Sequence, residues 1–169
     1  MQYTPNFPVD GDILFASQKF LIAVLALSTA QLAVAKDVAL VSNKGNDTQT
    51  ISLPDLIKLC KGQTNRWPDG KPVTFVMLDP GSPEMKIVLQ KVYDSSAEQV
   101  KNLINAANHG RANHPAIIVV TSDEALVQKV ESMPGAIGVV DVYSITGGVA
   151  VVKVAGKLPL EPGYVLHGN

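Results

Sequence analysis

Three short runs of unbroken apolar residues constrain this chain more than any other feature. Val38-Ala39-Leu40-Val41, Val73 to Leu78 (VTFVML) and Ile117 to Val120 show no in–out alternation. A strand with one wet face alternates with period two, whereas a strand buried on both faces reads as a continuous hydrophobic run. Segments with helical spacing and start signals lie between these runs. Ser52-Leu53-Pro54-Asp55 opens one, with Leu53, Leu56, Ile57 and Cys60 on a single face and Gly62 to end it. Pro83-Glu84 begins a second that reaches about Tyr93. Ser96-Ala97-Glu98-Gln99 caps a third to about Asn108, and Ser122-Asp123-Glu124 starts a fourth, stopped by Pro134-Gly135. Two more strands are expected, Ala136 to Val142 and Val149 to Val154, with Gly147-Gly148 as a hairpin turn between them. Strands alternating with helices predict an α/β fold, a three-layer αβα sandwich around a mostly parallel or mixed sheet.

Composition narrows the function classes. Charged residues make up 17% of the 169 residues and hydrophobic residues 46%, the opposite of a disordered chain. Formal net charge is −1, so no basic footprint for nucleic acid exists. The single cysteine, Cys60, excludes an intramolecular disulfide and any multi-cysteine zinc site.

The first 35 residues stand apart. Phe20 to Ala35 (FLIAVLALSTAQLAVA) carries no charge, follows Lys19 and ends in Ala33-Val34-Ala35. A small-x-small ending after such a run predicts a secretory signal peptide cleaved after Ala35. As a helix it rises roughly 24 Å, short of the ~30 Å hydrocarbon core. Residues 1–16 have Asp10 and Asp12 and no base, which suits a start codon nearer Ser17. The expected organisation is a leader over 1–35 and one domain over 36–169, periplasmic or secreted. Without the leader, the charge balance is zero.

Catalytic templates are missing. No HExxH, GxSxG, GxxxxGK[ST] or GxGxxG occurs, so zinc hydrolase, α/β-hydrolase, P-loop and dinucleotide readings fail. His109 and His114 are five apart across Gly110, the wrong spacing for ligands on one helix face, and a polar loop explains them. Cys60 lies on an apolar face and reads as core. No catalytic residue, cofactor or metal is called. One place suits a small ligand: the turn Asp79-Pro80-Gly81-Ser82-Pro83-Glu84 leaves a strand and enters a helix. There Gly81 permits close approach, Ser82 offers a hydroxyl, and free N–H groups attract an anion. The alternative is that Ser82 simply caps its helix, with Pro83 in the first turn.

Two stretches then carry a resemblance. Leu53 to Gly62 followed by Arg66-Trp67-Pro68-Asp69-Gly70-Lys71-Pro72-Val73 resembles the "helix, then G-x-x-x-x-W-x-[DN]-G" segment of phosphate-type substrate-binding proteins of ABC transporters. Pro134-Gly135-Ala136-Ile137-Gly138-Val139-Val140 is similar to that family's "PGAIGY" strand, and Val152 to Leu166 is similar to its closing segment. The resemblance implies one lobe of a type II periplasmic binding fold, like the second lobe with its hinge strands. The family's arginine and Ser-Gly-Thr anion motif maps onto Leu78 to Glu84. Ser82 matches the serine, Pro83 and Glu84 replace the other two, and no arginine is near. The expected function is an exported, non-enzymatic solute-binding-like domain linked to phosphate or oxyanion transport. Its ligand would be held by Gly81 and Ser82 with help from the Ser42-Asn43 turn. The expected partners are an ABC permease, a second lobe or a second copy. The alternative is an exported interaction module without ligand, docking a membrane or periplasmic partner through the former cleft face.

Overall fold

The computed structural model describes residues 1–2 and 37–168. The apolar run from Phe20 to Ala35 and the cleavage point after Ala35 lie outside the described residues. In chain order the elements are β1 (Val38–Asn43), β2 (Thr50–Ile51), α1 (Leu53–Cys60), β3 (Thr74–Leu78) and a helical segment α2 (residues 83–93). After these come α3 (Ala97–Asn108), β4 (Ile117–Val120), α4 (Asp123–Ser132), β5 (Ala136–Asp141), β6 (Val149–Val151) and β7 (Lys153–Val154).

The helix starts follow from their caps. Ser52 has extended backbone, and its Oγ accepts from the Asp55 N–H at 3.2 Å, with Pro54 in the first turn where no N–H is needed. Ser96 and Gln99 form a reciprocal capping box, and Ser122 Oγ accepts from the Ala125 N–H. The segment α2 departs from a regular helix. It begins as a 3-10 turn over Pro83–Met85, continues as one α turn over Lys86–Val88, and widens to a π turn over Leu89–Tyr93. The wide turn sets Tyr93 inside the core, its hydroxyl donating to the Cys60 carbonyl at 2.7 Å.

The main sheet has five strands in the order β4-β3-β5-β1-β6. β3 runs parallel to β4 and β5, whereas β1 is antiparallel to both β5 and β6. The sheet is therefore mixed, with β1 alone opposing the other four. Two expectations change here. Gly147-Gly148 is not a hairpin turn between paired strands, because β1 lies between β5 and β6. The run Val149 to Val154 is two strands in different sheets: β6 joins the main sheet, and β7 pairs in parallel with β2.

Register places the helices on two faces. Val76 is level with Gly138, and a Cβ on Gly138 would meet Leu126 and Val130 of α4. Glycine there lets α4 lie close on that face. Met77, pointing the other way, touches the Tyr93 hydroxyl through its sulfur at 3.6 Å. The faces of β3 are thus covered by α4 on one side and α2 on the other, and all five of its residues are buried. This is the αβα sandwich that the unbroken apolar runs predict.

The tail is fastened to the start of β1. Asp37 is only 4% exposed; its Oδ2 accepts from the Leu160 N–H at 3.1 Å, and its Oδ1 pairs with His167 Nδ1. The Val38 N–H donates to the Leu166 carbonyl at 3.3 Å.

Candidate functional site

Strands β3 and β4 end side by side at Leu78 and Val120, which are partners in register. The chain then turns through Asp79–Ser82 on one strand and Thr121–Ser122 on the other, each turn entering a helical segment. Between them lies a cleft of about 280 Å3. Open α/β sheets hold ligands at this position, beyond the carboxyl ends of parallel strands.

Ser82 lines the cleft, but it does not cap α2 through its side chain. Its Oγ is buried and has no hydrogen-bond partner. Gly81 is nearby, yet its N–H is already taken, donating to Asp79 Oδ1 at 2.7 Å. The Ser82 N–H donates to the Asp79 carbonyl at 2.9 Å. Asp79 thus occupies with its own carboxylate the donor that an incoming anion would need. The Gly81 N–H, with Lys101 at 3.4 Å, holds the Asp79 carboxyl below the ordinary range.

Two further acids join Asp79 among the lining residues. Glu84 and Asp123 line the same cleft. Asp123 Oδ2 accepts from the Ser144 hydroxyl at 3.2 Å, while Oδ1 is buried without a partner. Burial first, and then the neighbouring Asp141 charge, push the Asp123 carboxyl up, against the pull of the Ser144 hydrogen bond. A dianion entering this cleft would meet three carboxylates, and Lys101, the cation paired with Asp79, is 46% exposed and not among the lining groups.

The structure does not bring Ser42 and Asn43 to Gly81 and Ser82. Because β1 runs against its neighbour, Ser42 is level with Ile137 near the start of β5. That is the sheet end opposite the cleft. Both residues lie in β1 and are buried, rather than forming an open turn. Asn43 Nδ2 donates to the Val130 and Glu131 carbonyls at 2.9 and 2.7 Å, closing the last turn of α4. Ser42 Oγ accepts from Asn46 Nδ2 at 2.9 Å. His114 is also at that far end, with Nε2 3.5 Å from Thr74 Oγ1. Among the described residues, no group of three or more His, Cys, Asp or Glu is placed to hold a metal ion.

The motifs that carry the family resemblance work as a structural lock. Trp67 Nε1 donates to the Gly135 carbonyl at 2.9 Å, and the Gly135 N–H donates to Asn46 Oδ1 at 2.9 Å. Gly135 has φ +87°, and a Cβ there would run into the Pro72 carbonyl. The tryptophan loop and the PGAIG strand therefore hold each other in this fold. The acidic lining was in plain view as Asp79, Glu84 and Asp123; the signal for it is an aspartate two residues before a glycine, which favours a side-chain bond to that N–H.

No protein-family model matches the sequence, and no curated protein matches it. Solved structures do match the fold, at identities of 16–17% among the three that follow. An ABC-type phosphate transport receptor from Vibrio cholerae superposes with TM-score 0.62 at 16% identity, over 79% of this chain and 54% of that one. PstS from Borrelia burgdorferi gives 0.61 at 17% identity, over 80% and 55%. A phosphate binding protein from Stenotrophomonas maltophilia gives 0.59 at 17%, over 74% and 40%. The chain spans about half the length of these receptors. Its architecture is that of a single lobe of the periplasmic-binding-protein fold.

Proposed function

We propose that this chain is an exported, non-enzymatic lobe of the solute-binding type that serves a phosphate- or oxyanion-type ABC uptake system through protein contact across its cleft face. The fold shared with phosphate receptors supports the solute-binding class. The observation that favours docking a protein over holding an ion is the bond from the Gly81 N–H to Asp79. With that donor filled and Glu84 and Asp123 beside it, a free phosphate at Ser82 would be desolvated against like charge, which is costly. A permease or a second lobe presenting basic groups suits the same surface. Hydrolysis has no support either, since no histidine is among the residues that line the cleft and His114 lies at the other end of the sheet.

Two measurements test the reading. A ligand at a hundred times its Kd contributes about 2.7 kcal/mol, enough to raise Tm by several degrees. Phosphate and sulfate at millimolar concentration are expected to leave Tm unchanged. A rise of several degrees that Ser82→Ala abolishes would restore the anion seat. The second measurement is co-purification with the permease subunits of a phosphate-type transporter. Glu84→Arg, on an exposed position, is expected to abolish it with Tm retained.

A further inference from the structure

Two large apolar side chains stand out at the corner where β1 begins, and the core uses neither. Tyr143 is 83% exposed and Leu160 is 65% exposed. Both are tied to Asp37. Its carbonyl accepts from the Val142 N–H at 3.2 Å, and its Oδ2 accepts from the Leu160 N–H at 3.1 Å. Val38, the next residue, lines an apolar hollow of about 150 Å3 together with Pro83 and Ile87. Glu84 lines both that hollow and the cleft. The pair, the hollow and the cleft therefore border one another.

A lone exposed apolar residue is ordinary. These two are held rigidly. Leu158-Pro159-Leu160-Glu161 is a turn closed by the Glu161 N–H on the Leu158 carbonyl at 3.3 Å, and Leu160 has φ +69°. Proline second and a positive φ third are the pattern of a type II turn, whose third residue is ordinarily glycine. Leucine is strained there, and the bond to buried Asp37 keeps it in place. Tyr143 sits in the turn Val142–Ser144. Its N–H donates to Asp141 Oδ1 at 2.9 Å, and the neighbouring Ser144 hydroxyl donates to Asp123 at 3.2 Å. Among the described residues the Tyr143 side chain bonds to nothing. Apolar side chains fixed in advance lose little conformational freedom on binding, which makes them effective interface anchors.

Charge selects the occupant. Glu84 makes no ion pair among the described residues, and the hydroxyl on Asp123 carries no charge. Of the cleft acids, Asp79 alone has a cation beside it, Lys101 at 3.4 Å. Lys157 is turned onto the Pro162 carbonyl, and His167 is paired with Asp37. A second copy docked face to face would set Glu84 and Asp123 against the same acids, and an anionic bilayer would repel them too. A protein surface with arginine or lysine beside an apolar socket complements both the acids and the exposed pair.

We infer that Tyr143 and Leu160 are the apolar anchors of the docking face, received by a basic surface with an apolar socket on a partner protein. This rests on the docking reading of the cleft and assigns the affinity to side chains outside it.

The probe is the purified, detergent-solubilised permease complex of a phosphate-type transporter from the same organism, titrated with the unaltered domain and its variants. Leu160→Gly removes the side chain and suits the positive φ, so Tm is expected to hold while binding weakens at least tenfold. Leu160→Asn, which also tolerates that backbone, replaces it if the glycine variant does not fold. Tyr143→Ser is expected to weaken binding at least tenfold with Tm retained. Full affinity in either variant overturns the inference, and the docking reading survives that result if Glu84→Arg still abolishes binding. No binding by the unaltered domain overturns the docking reading, and the anchors with it. Leu160-dependent dimers in sedimentation, or Leu160-dependent binding to phosphatidylglycerol vesicles, would assign the pair to another occupant and overturn the inference.

Discussion

Asp79 sets the character of the cleft, and it does so with one bond. Removing its carboxylate by Asp79→Ala frees the Gly81 N–H and Lys101 together. That variant is expected to bind phosphate more tightly than the unaltered domain, read as a larger phosphate-dependent rise in Tm. Asp123 gives a pH signature. Its carboxyl is pushed up in the folded state, so the stability it contributes is full below its unfolded value and is lost as pH rises through its folded value. Asp123→Asn should therefore raise the urea midpoint at about pH 7 and leave it nearly unchanged at about pH 3. Cys60 is fully buried, and burial pushes its thiol up. Native protein should resist thiol reagents, with labelling appearing only as the domain unfolds. At this scale the core role of Cys60 was legible in its helical spacing. That Ser42-Asn43 and Ser82 lie at opposite ends of the sheet was not, because adjacency in a sheet depends on strand direction, which no local pattern encodes.

Helices were the most legible elements because their starts are written in single side chains. Ser96 supports α3 through a full capping box, and Ser96→Ala should cost about 1 kcal/mol in chemical denaturation. The π turn of α2 had no such marker. It follows from a contact between residues 33 apart in sequence, the Tyr93 hydroxyl on the Cys60 carbonyl. Tyr93→Phe leaves that carbonyl buried and unbonded, and should lower stability by about 1–3 kcal/mol. Strand positions could be read from their apolar runs, but strand order could not. The insertion of β1 between β5 and β6 separates two segments whose short glycine link looks like a hairpin. The break at Val152 was equally hidden, since its residue types suit either sheet.

For the molecule as a whole, β4 is an edge of the main sheet, with Val119 41% exposed. Open hydrophobic edges invite pairing with other chains. Asn108, just outside, blocks part of this one. Its side chain donates to the Ile117 carbonyl at 2.8 Å and accepts from the Ile117 N–H at 3.0 Å, as a neighbouring strand would. Asn108→Ala should increase concentration-dependent association, visible by light scattering, with secondary structure retained by circular dichroism. Finally, Asp37 clasps Leu160 and His167, so the way into the fold and the way out of it share one corner. Ends held side by side in this way are the arrangement that tolerates insertion between two neighbouring points of a longer chain.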